Sequence, residues 1–285
     1  MIIRDQLQKW DGHSHTPYCH HGERVAFSAY IDQAVSHGFS KYSLTEHPPL
    51  PTNWLADSEM MDLLAMPAED LSPYIQEANL VKEQYSDIIQ IGVGLELDYL
   101  DGKEGFTNDI LTYCDGHIEE AIVSVHFLGG REGMRCVDFS ANDWRDGLLR
   151  YYGSVDKVVD EYFNQVEAAI RFAGTLAIPT RIGHLLLIKK FAKALPVFDE
   201  EQIHSRLKRI LPLLQTLHVG IDANMSGLRV NTCQEAYVPF MFLHEANSLG
   251  IEVVYGSDAH RPNDVGSHWD WFEKAMKGGV HVAGR

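Results

Sequence analysis

Asp11-Gly12-His13-Ser14-His15 is the stretch from which the fold can be read. It closes a short segment, residues 10–15, with the character of a strand. Side chains two apart on an extended strand point to the same face. His13 and His15 can therefore offer two imidazoles to one metal ion, and a second pair, His20 and His21, follows closely. Two neighbouring histidines are common on ordinary surfaces, so the weight falls on whether other strands end in the same way.

They do. Residues 42–45 run into Glu46-His47-Pro48-Pro49, and residues 88–95 into Glu96-Leu97-Asp98. The apolar run 117–125 stops at His126, and the run 178–183 at His184. Residues 219–224 lead into Ser226-Gly227-Leu228-Arg229, and residues 251–256 into Ser257-Asp258-Ala259-His260. Helical patterns lie between several of these strands: 27–37 closed by Gly38, 72–85 with Pro73 in its first turn, 154–173, 200–217, and 238–249 stopped by Gly250. Strand, polar end, loop and helix in regular alternation imply a parallel sheet. In α/β barrels, function gathers at the C-terminal ends of the strands. An open doubly wound sheet gathers its ligands at one crevice, whereas here nearly every strand end carries one. The expected fold is a distorted (β/α)7 TIM-like barrel. With no internal repeat or low-complexity linker, residues 1–285 are expected to form one domain. Two stretches lack a period, 50–73 and 129–153, and are expected as loop excursions over the site. Trp144, Tyr151 and Tyr152 in the second are candidates to close over substrate.

The chain has 285 residues, 45% of them apolar, and a net charge of −16 with histidines neutral. That charge argues against sequence-independent binding to nucleic acid or an anionic membrane. It leaves an anionic substrate open, because bound cations reverse the local field. Cys19, Cys114, Cys136 and Cys233 are scattered without a C-x-x-C pair, so neither a disulfide framework nor a thiolate zinc site is expected. Cys19 reads as a small packing residue. With no secretory signal and no apolar run of membrane-spanning length, a cytoplasmic protein is expected.

The candidate ligands are His13, His15, His21, His47, Glu96, His126, His184, Asp258 and His260. Seven of the 15 histidines fall at strand ends or just beyond, while His37, His204, His218, His244 and His281 lie elsewhere. Imidazole with carboxylate suits zinc, iron or manganese better than magnesium or calcium. Nine donors exceed the needs of one ion; two or three ions follow, with Glu96 the natural bridge.

These motifs together resemble the PHP superfamily, and more narrowly its monofunctional histidinol-phosphate phosphatases. The resemblance rests on D-G-H-S-H with C-H-H-G, then T-E-H-P, G-L-E-L-D, S-V-H-F-L-G-G, I-G-H, N-M-S-G-L-R and G-S-D-A-H, from Asp11 to beyond His260. It implies a seven-stranded barrel holding three divalent ions (zinc, iron or manganese). The first would sit on His13, His15, Glu96 and Asp258, the second on Glu96, His126 and His184, the third on His21, His47 and His260. His21 is preferred because the family's histidine directly precedes the glycine, here Gly22; His20 would line the entrance. The implied activity is hydrolysis of L-histidinol phosphate in histidine biosynthesis.

A hydroxide shared between two ions is a strong nucleophile at neutral pH, and the ions neutralise the phosphoryl oxygens as charge moves to the leaving group. Asp258, His260 and Arg229 are the catalytic candidates, with Asp258 or a metal-bound water as general acid. Arg229 is expected to contact the phosphate in bidentate fashion. Lys189, followed by Lys190, stands where the family carries a basic pair. Asp98 and Glu235 are candidates for the substrate's amine, Asp98 alternatively for orienting a histidine. The family's acidic residue in the segment after the I-G-H histidine is replaced here by Leu185-Leu186-Leu187, which leaves the orientation of His184 and some substrate contacts open.

The expected partner is a small phosphorylated substrate, with no nucleic acid or membrane, and the protein a monomer or small homo-oligomer. A PHP phosphoesterase acting on another monoester, or on nucleotide or nucleic acid ends, is the alternative, and the −16 charge opposes long polynucleotides. A non-catalytic metal-binding module would show missing ligands, and an amidohydrolase a bridging lysine or other histidine spacing.

Overall fold

The computed structural model describes residues 7–55 and 57–277; His281 and the outermost ends of the expected domain fall outside that range. Nine strands are present among the described residues: β1 (Trp10–Asp11), β2 (Lys41–Glu46), β3 (Gln90–Asp98), β4 (Glu120–Ser124), β5 (Phe127–Gly130), β6 (Gly133–Cys136), β7 (Thr180–Ile182), β8 (Gly220–Asn224) and β9 (Val253–Gly256). Seven form one sheet in the order β1-β2-β3-β4-β7-β8-β9, every neighbouring pair parallel. The ring is completed from β9 to β1 by backbone bonds: Gly12 N to Tyr255 O at 2.8 Å, Asp258 N to His13 O at 2.8 Å and His15 N to Ala259 O at 2.9 Å. The expected barrel is therefore the observed one.

Parallel strands covered on both faces read as continuous apolar runs. β3 and β4 show this, with every residue buried except Gln90. Helices close the outside by amphipathic stripes. In Val155–Ala173, Val155, Val158, Val159, Tyr162, Phe163, Val166 and Ile170 are buried at three- and four-residue spacing. Ser154 caps that helix by accepting from Lys157 N, and Asp199 caps Glu200–Leu217 by accepting from Glu201 and Gln202 N.

Both expected excursions are more ordered than their sequence suggests. The stretch 50–73 contains the helix Ser58–Leu64, started by the Asp57 side chain, and runs through Ala68–Asp70 into the helix Leu71–Gln84. In 129–153, β5 and β6 form an antiparallel hairpin, followed by the helical pieces Ala141–Asp143, Trp144–Leu149 and Arg150–Tyr152. Trp144 is fully buried, its ring 5.9 Å from Phe198, so it anchors this segment to the core and is not free to close over substrate. Tyr152 donates to Gly129 O, and Tyr151 is exposed. Short strands broken by glycine and charge show no period for a pattern to detect. The helix Glu104–Tyr113, absent from the sequence reading, has Gly105 in its first turn and buries only Thr107 and Ile110. No helix among the described residues is long and apolar enough to cross a membrane.

Candidate metal centre

The strand ends place their polar residues on one side of the ring. His13 and His15 lie in the segment that closes β1 to β9, His47 directly follows β2, Glu96 lies in β3, His126 and His184 follow β4 and β7 by two residues, and Asp258 and His260 follow β9. Gly256 allows this crowding: a Cβ there would stand 2.1 Å from Asp222 Oδ1 and 2.8 Å from His13 Cβ.

Glu96 is the centre of the cluster. Its Oε2 faces His13 Nε2 at 3.1 Å, His15 Nε2 at 3.4 Å and His47 Nδ1 at 3.4 Å. Its Oε1 faces His184 Nε2 at 2.9 Å and His126 Nε2 at 3.6 Å, and accepts from Ser124 Oγ at 2.6 Å. One carboxylate thus presents its two oxygens to two separate imidazole groups. Asp258 Oδ1 lies 3.2 Å from His15 Nε2, and the residue sits at φ +51°, a strained conformation for a non-glycine residue. His21 and His260 bring their Nε2 atoms to 2.9 Å. His47, expected beside His21 and His260, is more central than that, since its donors lie within reach of both His15 with His260 and Asp98 with His126.

Three acidic residues orient the imidazoles. His13 Nδ1 meets Asp222 at 2.8 Å, His15 Nδ1 meets Glu46 at 3.1 Å and His126 Nδ1 meets Asp98 at 2.7 Å. Each fixes the ring so that Nε2 points to the centre. Asn224 links Asp222 to Asp258 (3.1 and 3.2 Å), and Ser226 Oγ donates to Asp258 at 3.0 Å. Glu46 and Ser226 are legible only as polar strand ends without a role, and Asp222 and Asn224 are given none by the sequence. The signal available was a polar residue inside or directly beyond an otherwise apolar strand. The first-loop histidines are held from outside the barrel, His21 by Leu63 O and His20 by Asp62 O. The helix Ser58–Leu64 therefore positions one candidate ligand. Asp11 accepts from Ser257 N at 2.9 Å and Gly266 N at 3.1 Å, and burial lifts its carboxyl to about 6 against those hydrogen bonds.

The electrostatics divide the histidines. Burial opposes charge on His13, yet Glu96, Asp222 and Asp258 outweigh it and raise its pKa; His15 is raised likewise by Asp258, Glu46 and Glu96. His126 reaches about 9, burial being overridden by Asp98. His47, His260 and His21 are lowered, chiefly by burial. The carboxylates of Glu96 and Asp258 are held low by the surrounding histidines despite burial.

This donor set fits divalent ions. His13 Nε2, His15 Nε2 and His47 Nδ1 are buried without a hydrogen-bond partner, whereas buried polar atoms ordinarily have one. Imidazole nitrogens clustered around carboxylates satisfy that need with a cation of the zinc, iron or manganese type. His184 Nδ1 has no hydrogen-bond partner, and the three residues that follow it, Leu185, Leu186 and Leu187, are buried and apolar. Replacing Asp98 with Ala should release the His126 ring and weaken metal affinity by about 10–100-fold. Competition with a chromogenic chelator measures this, and an unchanged affinity would remove Asp98 from the centre.

The expected substrate contacts are placed differently. Lys189 Nζ is engaged at 2.8 Å by both Glu200 and Glu235, so Lys189 and Glu235 neutralise one another. Lys190 bonds Asp138 at 2.8 Å and lies close enough to Asp258 to feel its charge, making it the member of the basic pair that faces the ligands. Arg229 donates to Ser257 O at 2.8 Å, Asp258 O at 3.2 Å and the Ser267 hydroxyl. Instead of offering an open fork to phosphate, it holds the backbone beneath Asp258. Asp98 is committed to His126.

The pattern of the PHP domain family matches residues 11–226. Over 269 residues the chain is 32% identical to the histidinol-phosphatase of Bacillus subtilis strain 168, covering 93% of this chain and 98% of that one. The crystal structure of HisK from Listeria monocytogenes, a candidate histidinol phosphatase, superposes with a TM-score of 0.87 at 33% identity, covering 93% of this chain and all 100% of that one. A second crystal structure, HisK from Lactococcus lactis subsp. lactis Il1403, shares the fold with a TM-score of 0.70 at 18% identity, covering 96% and 94% of the two chains; it was solved with zinc, L-histidinol and phosphate.

Proposed function

We propose, on the premise that the chain belongs to the PHP domain family and within it to the histidinol-phosphatases, that it hydrolyses L-histidinol phosphate to L-histidinol and phosphate. The observation that carries this reading is the two-sided Glu96, with His13, His15 and His47 on one oxygen and His126 and His184 on the other. We assign three divalent ions, of zinc, iron or manganese. His13, His15, Glu96 and Asp258 would hold one, Glu96, His126 and His184 a second, and His21, His47 and His260 a third. When bound, such ions polarise phosphoryl oxygens and lower the pKa of water to near neutrality.

The chain's own residues prepare that chemistry. Asp222, Glu46 and Asp98 accept the Nδ1 protons of His13, His15 and His126, which leaves each Nε2 lone pair turned inward. Arg229 fixes the backbone of Ser257 and Asp258, and so the direction of the Asp258 carboxylate. Lys190 supplies positive charge at the edge of the site for the phosphate. His184 and the apolar Leu185 to Leu187 that follow it are all buried from solvent. We read the chain as one barrel domain acting in the cytoplasm, as a monomer or small homo-oligomer.

The test is phosphate release from L-histidinol phosphate beside a panel of small monoesters, with metal-loaded protein. Preference for L-histidinol phosphate is expected. Protein that leaves it intact while cleaving another monoester would sink the substrate assignment and spare the reaction class.

A further inference from the structure

Cys19 is buried, 3% exposed, but differs from the other cysteines in its surroundings. Cys114 and Cys233 belong to the main apolar core and Cys136 to a second apolar cluster, whereas Cys19 is part of neither. Its sulfur instead lies within 4.8 Å of the donor atoms of His21 and His260, and on another side forms a similar group with His15 and Glu46.

A second observation concerns the two histidines. His21 Nδ1 is 2.7 Å from Leu63 O, and His260 Nδ1 is 3.2 Å from Asp258 O. Carbonyl oxygens only accept, so the ring protons belong on both Nδ1 atoms. Both Nε2 atoms are then bare lone pairs, and they face one another at 2.9 Å. Two acceptors at that distance repel unless a shared proton or a metal ion lies between them, and the third donor beside them favours the metal. The thiol of Cys19 is the third donor beside this pair.

Accepting the metal centre proposed above, on which this step rests, we propose that Cys19 is a thiolate ligand of the ion held by His21 and His260. On binding, the sulfur–metal bond forms, the S–H bond breaks and its proton passes to solvent. A sulfur donor makes this position softer than the oxygen-bearing positions around Glu96 and Asp258, so it favours zinc over manganese. The three ions would then differ in chemistry even where the surrounding barrel is shared.

Cobalt(II) reports a thiolate ligand directly, through an intense sulfur-to-cobalt charge-transfer band in the near ultraviolet. Full-length protein is stripped with chelator, reloaded with cobalt(II), and compared with Cys19→Ser and Cys19→Ala prepared in the same way. The wild type should show the band. Both variants should lose it while keeping the weaker visible cobalt bands of the remaining sites. Visible bands and phosphate release without the near-ultraviolet band in the wild type would overturn the Cys19 assignment and leave the metal centre standing. A band that survives in Cys19→Ser would assign it to another thiol and overturn the assignment equally. Protein that takes up no cobalt overturns the metal centre itself, and the Cys19 assignment with it. The wild-type spectrum decides the matter even where a variant fails to fold, which far-ultraviolet circular dichroism reveals.

Discussion

Glu96→Gln should lower kcat for phosphate release by on the order of 10³-fold or more, about 4 kcal/mol of barrier. The barrel should remain folded. The carboxylate meets imidazole groups through both oxygens at 2.9 to 3.6 Å. An amide keeps the shape and one acceptor but turns an NH2 toward one of the two groups. That side then loses its carboxylate oxygen and gains a donor that no cation tolerates. His13→Ala and His15→Ala should act in the same way, abolishing turnover without weakening substrate binding, because each removes a donor aimed at Glu96 and Asp258. Steady-state kinetics on metal-loaded protein separate the outcomes. A raised KM at unchanged kcat would mean that these residues only bind substrate, and full activity in either histidine variant would overturn the mechanism.

The second large effect lies within the barrel wall beneath the ligands. Arg181 on β7 is buried, its Nη1 2.7 Å from Glu120 Oε2 on β4 and its Nη2 donating to Gly12 O at 2.8 Å. Its guanidinium lies 4.9 Å from the Trp10 ring. Glu120 also accepts from Ser43 Oγ at 2.7 Å, which in turn accepts from Trp10 Nε1 at 2.8 Å. Gly92 makes room for this pair, since a Cβ there would stand 2.1 Å from Glu120 Oε1. Removing one partner of a buried pair strands the other charge, so Arg181→Ala should cost roughly 3–5 kcal/mol of stability. Arg181→Met combined with Glu120→Leu should recover much of that loss, because an apolar pair of similar volume is often neutral or better. Denaturant midpoints give the answer, and a cost below about 1 kcal/mol for Arg181→Ala would show that the pair carries little.

The same pair has a pH signature. Burial pushes the Glu120 carboxyl up, but Arg181 and Lys41 outweigh it and hold it below its usual 4.5. A depressed carboxyl contributes stability that is complete above the unfolded value and lost as pH falls through the folded one. Wild-type stability should therefore decline on acidification below 4.5. In Arg181→Ala burial dominates, the carboxyl moves up, and this contribution reverses sign.

The barrel and the gathering of polar strand ends were legible for one physical reason. Strands buried on both faces must be apolar, so a histidine or carboxylate at a strand end has no place in the pattern unless it serves a site. The roles of Glu46 and Asp222 were not legible because nothing in their spacing reveals what they meet; Asp222 is 209 residues from His13 in sequence and 2.8 Å away in space. The basic pair was legible as a pair but not in its direction. One residue of a tight helical turn separates Lys189, facing Glu200 and Glu235, from Lys190, facing Asp138. Arg229 was read for its charge, while its neighbours' carbonyls decide where it points. The hairpin of β5 and β6 was invisible because its strands are four residues long and broken by glycine.

The seam between β9 and β1 gives the centre a timetable. The bonds that close the ring run from His13 O to Asp258 N and from His15 N to Ala259 O, along the same backbone that carries candidate ligands. His21 and His260, which meet at 2.9 Å, are 239 residues apart in sequence. No partly made chain can assemble this set, and ordering so distant a contact is slow because its loop must close before the contact rewards it. An ion seated there would act as a removable clasp on a long loop, stabilising the native ring by what that closure costs the unfolded chain. Stripping metal should therefore loosen the β1–β9 seam before the rest of the barrel, and hydrogen exchange at the amides of Gly12, His15 and Asp258 would be the first to quicken.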